Sequence, residues 1–284
     1  MASASVEHTS LRSVTAALNF VDLASVPEGE RPTTYFPDQN GNIRPQNFAN
    51  ERRDVVITDL RSAGKEFKLD RNGFELLHHK SAIQGDEFYD EEKLKKVYLP
   101  EVEEVIKKVT GASRTKVFDS IIRSPRSTFK AIDRVHGDYT TKSGAGRLIE
   151  HIPEADSERL LNGRFAIINL WRPIRTVVDA PLAVADAITS PRSEIIAQSL
   201  VYPHRVGETA AFKYNPNVQF YYVSRQTPEE PLLIKTFEKA EDKAGFVPHS
   251  AFFDPTAPPN APERESIEVR VLVLWEDGND QAKL

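Results

Sequence analysis

His136 and Asp138, within Val135-His136-Gly137-Asp138-Tyr139, place an imidazole and a carboxylate two residues apart. On a strand, residues i and i+2 point to the same face, so the pair can grip one metal ion from one side. It would supply two members of the two-histidine, one-carboxylate set that leaves open positions on non-haem Fe(II). The spacing alone is weak evidence. The chain carries seven histidines, and a surface turn closed by a side-chain hydrogen bond explains a lone His-x-Asp better. What shifts the balance lies more than a hundred residues further on.

Composition narrows the chemistry. The 284 residues are 39% hydrophobic and 28% charged, with a formal net charge of −5, which describes an ordinary globular protein large enough for a sizeable core. Acidic and basic residues are interspersed, so neither a nucleic-acid groove nor a polybasic membrane patch is expected. There is no cysteine. That excludes disulfides, thiolate zinc sites, cysteine-ligated clusters and cysteine nucleophiles, and leaves His, Asp and Glu to hold any metal. No apolar run reaches the length of a membrane span, and Met1-Ala2-Ser3-Ala4-Ser5 has neither the charged start nor the apolar middle of a secretory signal. A cytoplasmic protein is expected.

The elements that must position these residues are mostly strands. Residues 1–50 are rich in Pro, Asn and Asp and read as a surface arm, with a short strand at Thr33 to Phe36. Arg53 to Leu60 reads as a strand. Phe67 to Leu69 and Phe74 to Leu77 read as two strands joined by a tight Asn72-Gly73 turn. From Glu91 to Val109 the apolar residues fall at helical spacing, Gly111 closes the helix, and Pro100 is expected to kink or split it. Beyond it the pattern turns to short strands: Thr115 to Ile122, Arg134 to Tyr139, Phe165 to Trp171, Pro181 to Ala187, Ile195 to Leu200, Ala210 to Tyr214, Phe220 to Ser224, Leu232 to Phe237 and Ser266 to Trp275. One short helix near Asp156 to Leu161 interrupts them. A helical N-terminal segment followed by many short strands predicts a mainly β sandwich or barrel in a single domain, residues 1–284.

The last strand is the most informative. Arg264, Ser266, Glu268 and Arg270 alternate with Glu265, Ile267, Val269 and Val271, so four polar side chains share one face. An edge strand turned to solvent would show the same alternation. Arg264-x-Ser266, however, sets a guanidinium beside a hydroxyl, a good grip for a carboxylate. Fifteen residues upstream lies His249, across a segment rich in Asp, Pro, Thr and Asn that reads as a loop.

His-x-Asp, a distal His and then Arg-x-Ser, in that order, resemble the Fe(II)/2-oxoglutarate-dependent oxygenases. More narrowly, Asn169-Leu170-Trp171-Arg172-Pro173, Pro181-Leu182-Ala183-Val184, Gly207-Glu208, Thr227-Pro228-Glu229-Glu230 and Pro262 to Arg270 are similar to a mostly fungal group of hydroxylase/desaturases. That group includes gibberellin desaturase-like proteins and relatives of the cephamycin methoxylase small subunit. The chain departs from its pattern at Ala185 and Val218, neither of them a metal residue. The resemblance implies a double-stranded β-helix, a jelly roll with the metal inside one mouth. It implies that His136, Asp138 and His249 bind Fe(II), and that Arg264 and Ser266 hold the far carboxylate of 2-oxoglutarate. With O2, the co-substrate would be decarboxylated to succinate while a small natural-product or amino-acid-derived substrate is hydroxylated or desaturated. An oxidase of the same fold that does not use 2-oxoglutarate, and a non-catalytic ligand-binding jelly roll, remain as alternatives.

Rivals exist for several roles. His204 competes with His249, although no Arg-x-Ser follows it. Arg270, on the same face as Arg264, competes as the co-substrate anchor. Arg172 reads equally as a structural ion pair, with Asp186 as the partner, or as a clamp on a substrate carboxylate. Tyr139 and Trp171 are candidates to line the substrate pocket, though Trp171 suits the core better. His78-His79 reads as a surface pair, and His8 and His151 have no evident partners. Oligomeric state is not legible.

Overall fold

The computed structural model describes residues 12–276. In chain order the first strands are β1 (Ser13–Asp22), β2 (Thr33–Tyr35), β3 (Ala49–Asp59) and β4 (Phe74–Leu76), with one helical turn, α1 (Leu69–Asn72), before β4. Next come α2 (Glu91–Lys93), a π-helical turn (Leu94–Tyr98) and α3 (Leu99–Thr110), then β5 (Arg114–Arg123) and β6 (His136–Gly137). Helices α4 (Thr141–His151) and α5 (Glu154–Asn162) precede β7 (Arg164–Pro173), β8 (Leu182–Ala185), β9 (Ile196–Tyr202) and β10 (Arg205–Ala211). The remaining strands are β11 (Phe220–Tyr222), β12 (Leu232–Glu238), β13 (His249–Ala251) and β14 (Ser266–Trp275).

The strands form a nine-stranded sheet, β1-β3-β11-β8-β13-β6-β10-β9-β2, and a five-stranded sheet, β4-β12-β7-β14-β5. Trp171, Leu232 and Ile234 of the smaller sheet pack on Leu182, Val184 and Tyr221 of the larger. The curled pair is the jelly roll expected from the resemblance. Alternation along β14 sorts its two faces. Ile267, Val269, Val271 and Val273 pack beneath Tyr98, Val102 and Ile106 of the helical layer. The polar face turns inward: Ser266 and Glu268 are buried, and Arg270 nearly so. It is therefore the lining of the barrel, not a solvent-facing edge.

Several elements differ from the sequence reading, each for a physical reason. Residues 13–22 are not part of a surface arm. They form β1, paired with β3 from Ser13↔Thr58 to Asp22↔Ala49, and bury Leu18, Phe20 and Val21. The alternation is diluted by Ala16, Ala17 and Asn19, which hides it from a pattern search. The expected hairpin at Asn72-Gly73 is instead the end of α1. Gly73 is needed at φ +82° either way, and here a Cβ on it would sit 2.2 Å from Val247 Cγ2. Pro100 does not split the long helix: helical residues run unbroken from Glu91 to Thr110, and the missing N–H of Pro100 is accommodated by a ladder that widens to π spacing just before it. Helix α4 was unexpected because Gly144 and Gly146 weaken its propensity. Gly144 is required there, since a Cβ would lie 2.1 Å from the Phe237 ring.

Candidate metal centre and anion pocket

β6 and β13 are neighbours, with His136 directly opposite His249. Residues far apart in sequence thus meet on one rung, with ring centroids 4.5 Å apart. The strand at β6 is only two residues long, so Asp138 lies just past its end and does not sit on the longer strand expected for Arg134 to Tyr139. Each imidazole sets Nδ1 against a backbone carbonyl, His136 on Arg134 at 2.8 Å and His249 on Val247 at 2.9 Å. A ring nitrogen facing a carbonyl carries the proton, which leaves both Nε2 atoms as lone-pair donors. Asp138 Oδ1 lies 4.0 Å from His136 Nε2 and 3.8 Å from His249 Nε2.

Those separations are too long for hydrogen bonds but suit a shared ion. Two donors each about 2.1 Å from one metal sit no more than about 4.2 Å apart. One ligand atom from each of the three residues can be chosen so that all lie within 4.8 Å of one another. The protonation states agree. Burial pushes the His136 imidazole down to about 3, so it is neutral at pH 7. Burial alone would raise the Asp138 carboxyl, but the Arg270 charge and the Asn169 hydrogen bond hold it well below the usual carboxylate range. The second oxygen of Asp138, Oδ2, accepts from Asn169 Nδ2 at 2.6 Å and from Arg270 Nε at 3.2 Å.

Two residues before β14, Arg264 is 9% exposed. One of its terminal nitrogens donates to the Ala180 carbonyl at 2.7 Å, and its guanidinium lies 5.4 Å from the Trp171 ring centroid. Arg264 Nε and the neighbouring Ser266 Oγ are buried without a hydrogen-bond partner. Burial, and then the charge of Arg123, bring the Arg264 guanidinium down to about 10. A buried cation with an unused donor beside an unused hydroxyl is a site suited to an anion. Arg264 also lines a cavity of about 420 Å³ together with Arg123, Lys130 and Phe252.

Residues 18–274 match the family described as an oxidoreductase/YMDC permease-like domain. Hydroxylase/desaturase efuI of Hormonema carpetanum is 33% identical over 272 residues, which cover 84% of this chain and 89% of that protein. The alpha-ketoglutarate-dependent dioxygenase phiK of a fungal species is 33% identical over 269 residues, covering 85% and 94%. The solved structure of the iron and alpha-ketoglutarate-dependent endoperoxidase NvfI superposes with a TM-score of 0.83 at 26% identity, over 92% of this chain and 97% of that one. The chain belongs to the fungal Fe(II)/2-oxoglutarate-dependent dioxygenases of the hydroxylase/desaturase group.

Other expected residues of this dioxygenase fall in different places. Arg172 is not at the pocket. It is 1% exposed and turns to the helical layer, where it bonds Tyr98 Oη, the carbonyls of His79 and Pro228, and His79 Nδ1. Its position on β7 puts it on the face opposite Trp171, and Asp186, its expected partner, is instead held by Asn72. Trp171 is a core residue beneath Arg264. Tyr139 is 4% exposed and packs with Leu272 and Phe237; burial raises its phenol above the ordinary value. Arg270 is not free to act as an anchor or a substrate clamp, because Asp138, Asp119 and Glu268 all engage it. His204 sits in the exposed turn between β9 and β10, and His8 lies outside the described residues. The sequence reading overlooked Asn169 and Asp119. Asn169 had a visible signal, as a single amide in the apolar run Phe165 to Trp171; a buried amide needs partners. Asp119 had none. Among the described residues, no helix is long and apolar enough to cross a membrane.

Proposed function

We propose that this dioxygenase hydroxylates or desaturates a small natural-product or amino-acid-derived molecule, with His136, Asp138 and His249 holding Fe(II) and Arg264 and Ser266 holding the far carboxylate of 2-oxoglutarate. One observation carries the reading: a single unbonded oxygen of Asp138 faces two histidine Nε2 atoms whose opposite nitrogens are tied to carbonyls. The co-substrate assignment rests on the unused Arg264 Nε and Ser266 Oγ. When bound, iron and 2-oxoglutarate supply, with O2, an oxidant able to take a hydrogen atom from an unactivated C–H bond.

The chain's own groups set the conditions for that chemistry. The two carbonyl contacts fix the imidazole tautomers and ring planes. Arg264, stacked on Trp171, presents a guanidinium fork of fixed orientation to a carboxylate. The buried Tyr139, Trp171 and Phe252 keep water from the surroundings of the site. We read residues 1–284 as one catalytic domain acting in the cytoplasm on a small molecule, with neither nucleic acid nor membrane as partner. The cysteine-free, net-acidic sequence supports that setting.

Anaerobic addition of Fe(II) and 2-oxoglutarate tests both halves. The wild-type protein is expected to develop a visible metal-to-ligand charge-transfer band. His136→Ala, Asp138→Ala and His249→Ala should each lose iron, and His204→Ala should keep it. Full iron affinity in His249→Ala, with loss in His204→Ala, would refute the ligand set. Bound iron with no band on adding 2-oxoglutarate would refute the co-substrate.

A further inference from the structure

Only one oxygen of Asp138 is available to an ion. Oδ2 accepts two hydrogen bonds, from Asn169 and Arg270, whereas Oδ1 has no hydrogen-bond donor among the described residues. The two donors are built as a pair, opposite each other on β7 and β14. Thr236 Oγ1 lies 3.2 Å from the Ile167 carbonyl and 3.3 Å from Asn169 Oδ1, so its one proton is shared between the two acceptors, and the Asn169 amide nitrogen is the end that faces the carboxylate. Arg270 is gripped from its other side by Asp119 and Glu268, each at 2.6 Å. Three carboxylates around one guanidinium leave two negative charges, the complement of a divalent cation.

We propose that Asn169 and Arg270 are positioning residues that make Asp138 a one-oxygen ligand. The proposal rests on the metal-centre reading above. A carboxylate with both oxygens free binds a metal through one or both. Chelation by both would fill a position that the two-histidine, one-carboxylate arrangement leaves open for other ligands. Tying Oδ2 to two donors on the facing sheet withholds it, and fixes the direction in which Oδ1 points. The contacts are also asymmetric in charge. Asn169 orients without adding charge, whereas Arg270 orients and at the same time withdraws electron density from the carboxylate.

Cobalt(II) alone is the probe, so no turnover is involved. The full-length protein is titrated with Co(II), and the visible absorption spectrum and the metal-induced rise in melting temperature are recorded. Asn169→Leu conserves volume and should weaken Co(II) binding tenfold or more, the size of effect seen when partners of metal ligands are removed. Its metal-free melting temperature should stay within a few degrees of wild type, while the metal-induced rise shrinks. Arg270→Gln should alter the shape and intensity of the Co(II) spectrum as Asp138 gains the use of Oδ2. If Arg270→Gln does not fold, Asn169→Leu decides alone. Wild-type affinity and an unaltered spectrum in the variants that fold, with His249→Ala losing the metal, would overturn the positioning role. Wild-type Co(II) binding by His249→Ala would instead show that the metal-centre reading itself has failed.

Discussion

Replacing Arg264 with methionine should move co-substrate binding and fold stability in opposite directions. Arg264 is 9% exposed, and burial together with Arg123 holds its guanidinium at about 10 instead of the ordinary 12.5. A displacement of that size means that the charged form burdens the unliganded fold by on the order of a few kcal/mol. Set against this are the 2.7 Å bond to Ala180 and the stacking on Trp171, each contributing roughly 1 kcal/mol. Without ligand, Arg264→Met should therefore be about as stable as wild type or somewhat more so. With 2-oxoglutarate the balance reverses. Charge-assisted hydrogen bonds contribute roughly 1.5–3 kcal/mol each. Losing two of them raises the KM for 2-oxoglutarate by on the order of 10²-fold or more, at about 1.4 kcal/mol per decade. Ser266→Ala, which loses one neutral donor, should raise it about tenfold. Arg264→Lys should recover only part of the loss, because an ammonium cannot reproduce the fork. Succinate release against 2-oxoglutarate concentration gives KM, and calorimetric unfolding with and without 2-oxoglutarate in the presence of Mn(II) gives stability. A KM within threefold of wild type would refute the anchor. A drop of several kcal/mol in unliganded stability would refute the claim that this cation is uncompensated.

Three further expectations concern the scaffold. Arg172→Met should lower stability by about 2–4 kcal/mol through its lost contacts with Tyr98, His79 and Pro228, while a KM for 2-oxoglutarate that rose with it would return Arg172 to the pocket; urea denaturation and steady-state kinetics separate the two. Burial alone would raise the Asp70 carboxyl, but Lys235, Arg164 and Lys243 outweigh it and bring it to about 2. Its stabilisation is therefore present above the unfolded value near 4 and is lost as the pH falls towards 2, so Asp70→Asn should be less stable than wild type at pH 7 and equal to it near pH 2. A stability difference that stayed constant across that window would contradict the assignment. Gly144→Ala should cost about 1–3 kcal/mol by forcing the Phe237 ring aside, measured as a lower denaturation midpoint; a neutral result would mean that the ring yields freely.

The chemistry was more legible in the sequence than the architecture that supports it. The order His136-x-Asp138, His249, Arg264-x-Ser266 is visible along the chain, and the structure gathers His136, Asp138 and His249 into one cluster. Many short strands predicted a mainly β sandwich or barrel, and the resemblance to the oxygenases narrowed it to a jelly roll. What escaped was whatever depends on a partner distant in sequence. Arg172 looks the same on paper whether it turns to the pocket or to Tyr98, because one residue of register decides between them. Asn169 became meaningful only once β7 was seen to lie beside β14. Asp119 carries no local mark at all, being one acidic residue among 42. Strand β1 was hidden by its small residues, and α4 by glycines whose purpose is visible only in the Phe237 ring they accommodate.

β6 carries one candidate ligand and leads directly into a second, yet it spans only two residues and meets β13 at one rung. On its other side it has two partner positions on β10, reinforced by Thr209 Oγ1 on the Gly137 carbonyl at 2.7 Å. So short a ladder opens at a free energy far below that of global unfolding, and the amides of His136 and Gly137 belong among the faster-exchanging of the buried backbone. An ion held jointly by β6 and β13 closes a loop of more than a hundred residues and exists only while the rung is intact. Each increment of free metal therefore suppresses opening by mass action. Deuterium uptake at this one rung becomes a gauge of metal loading. Protease cleavage of the segment around His136 is expected to slow in step as metal is added.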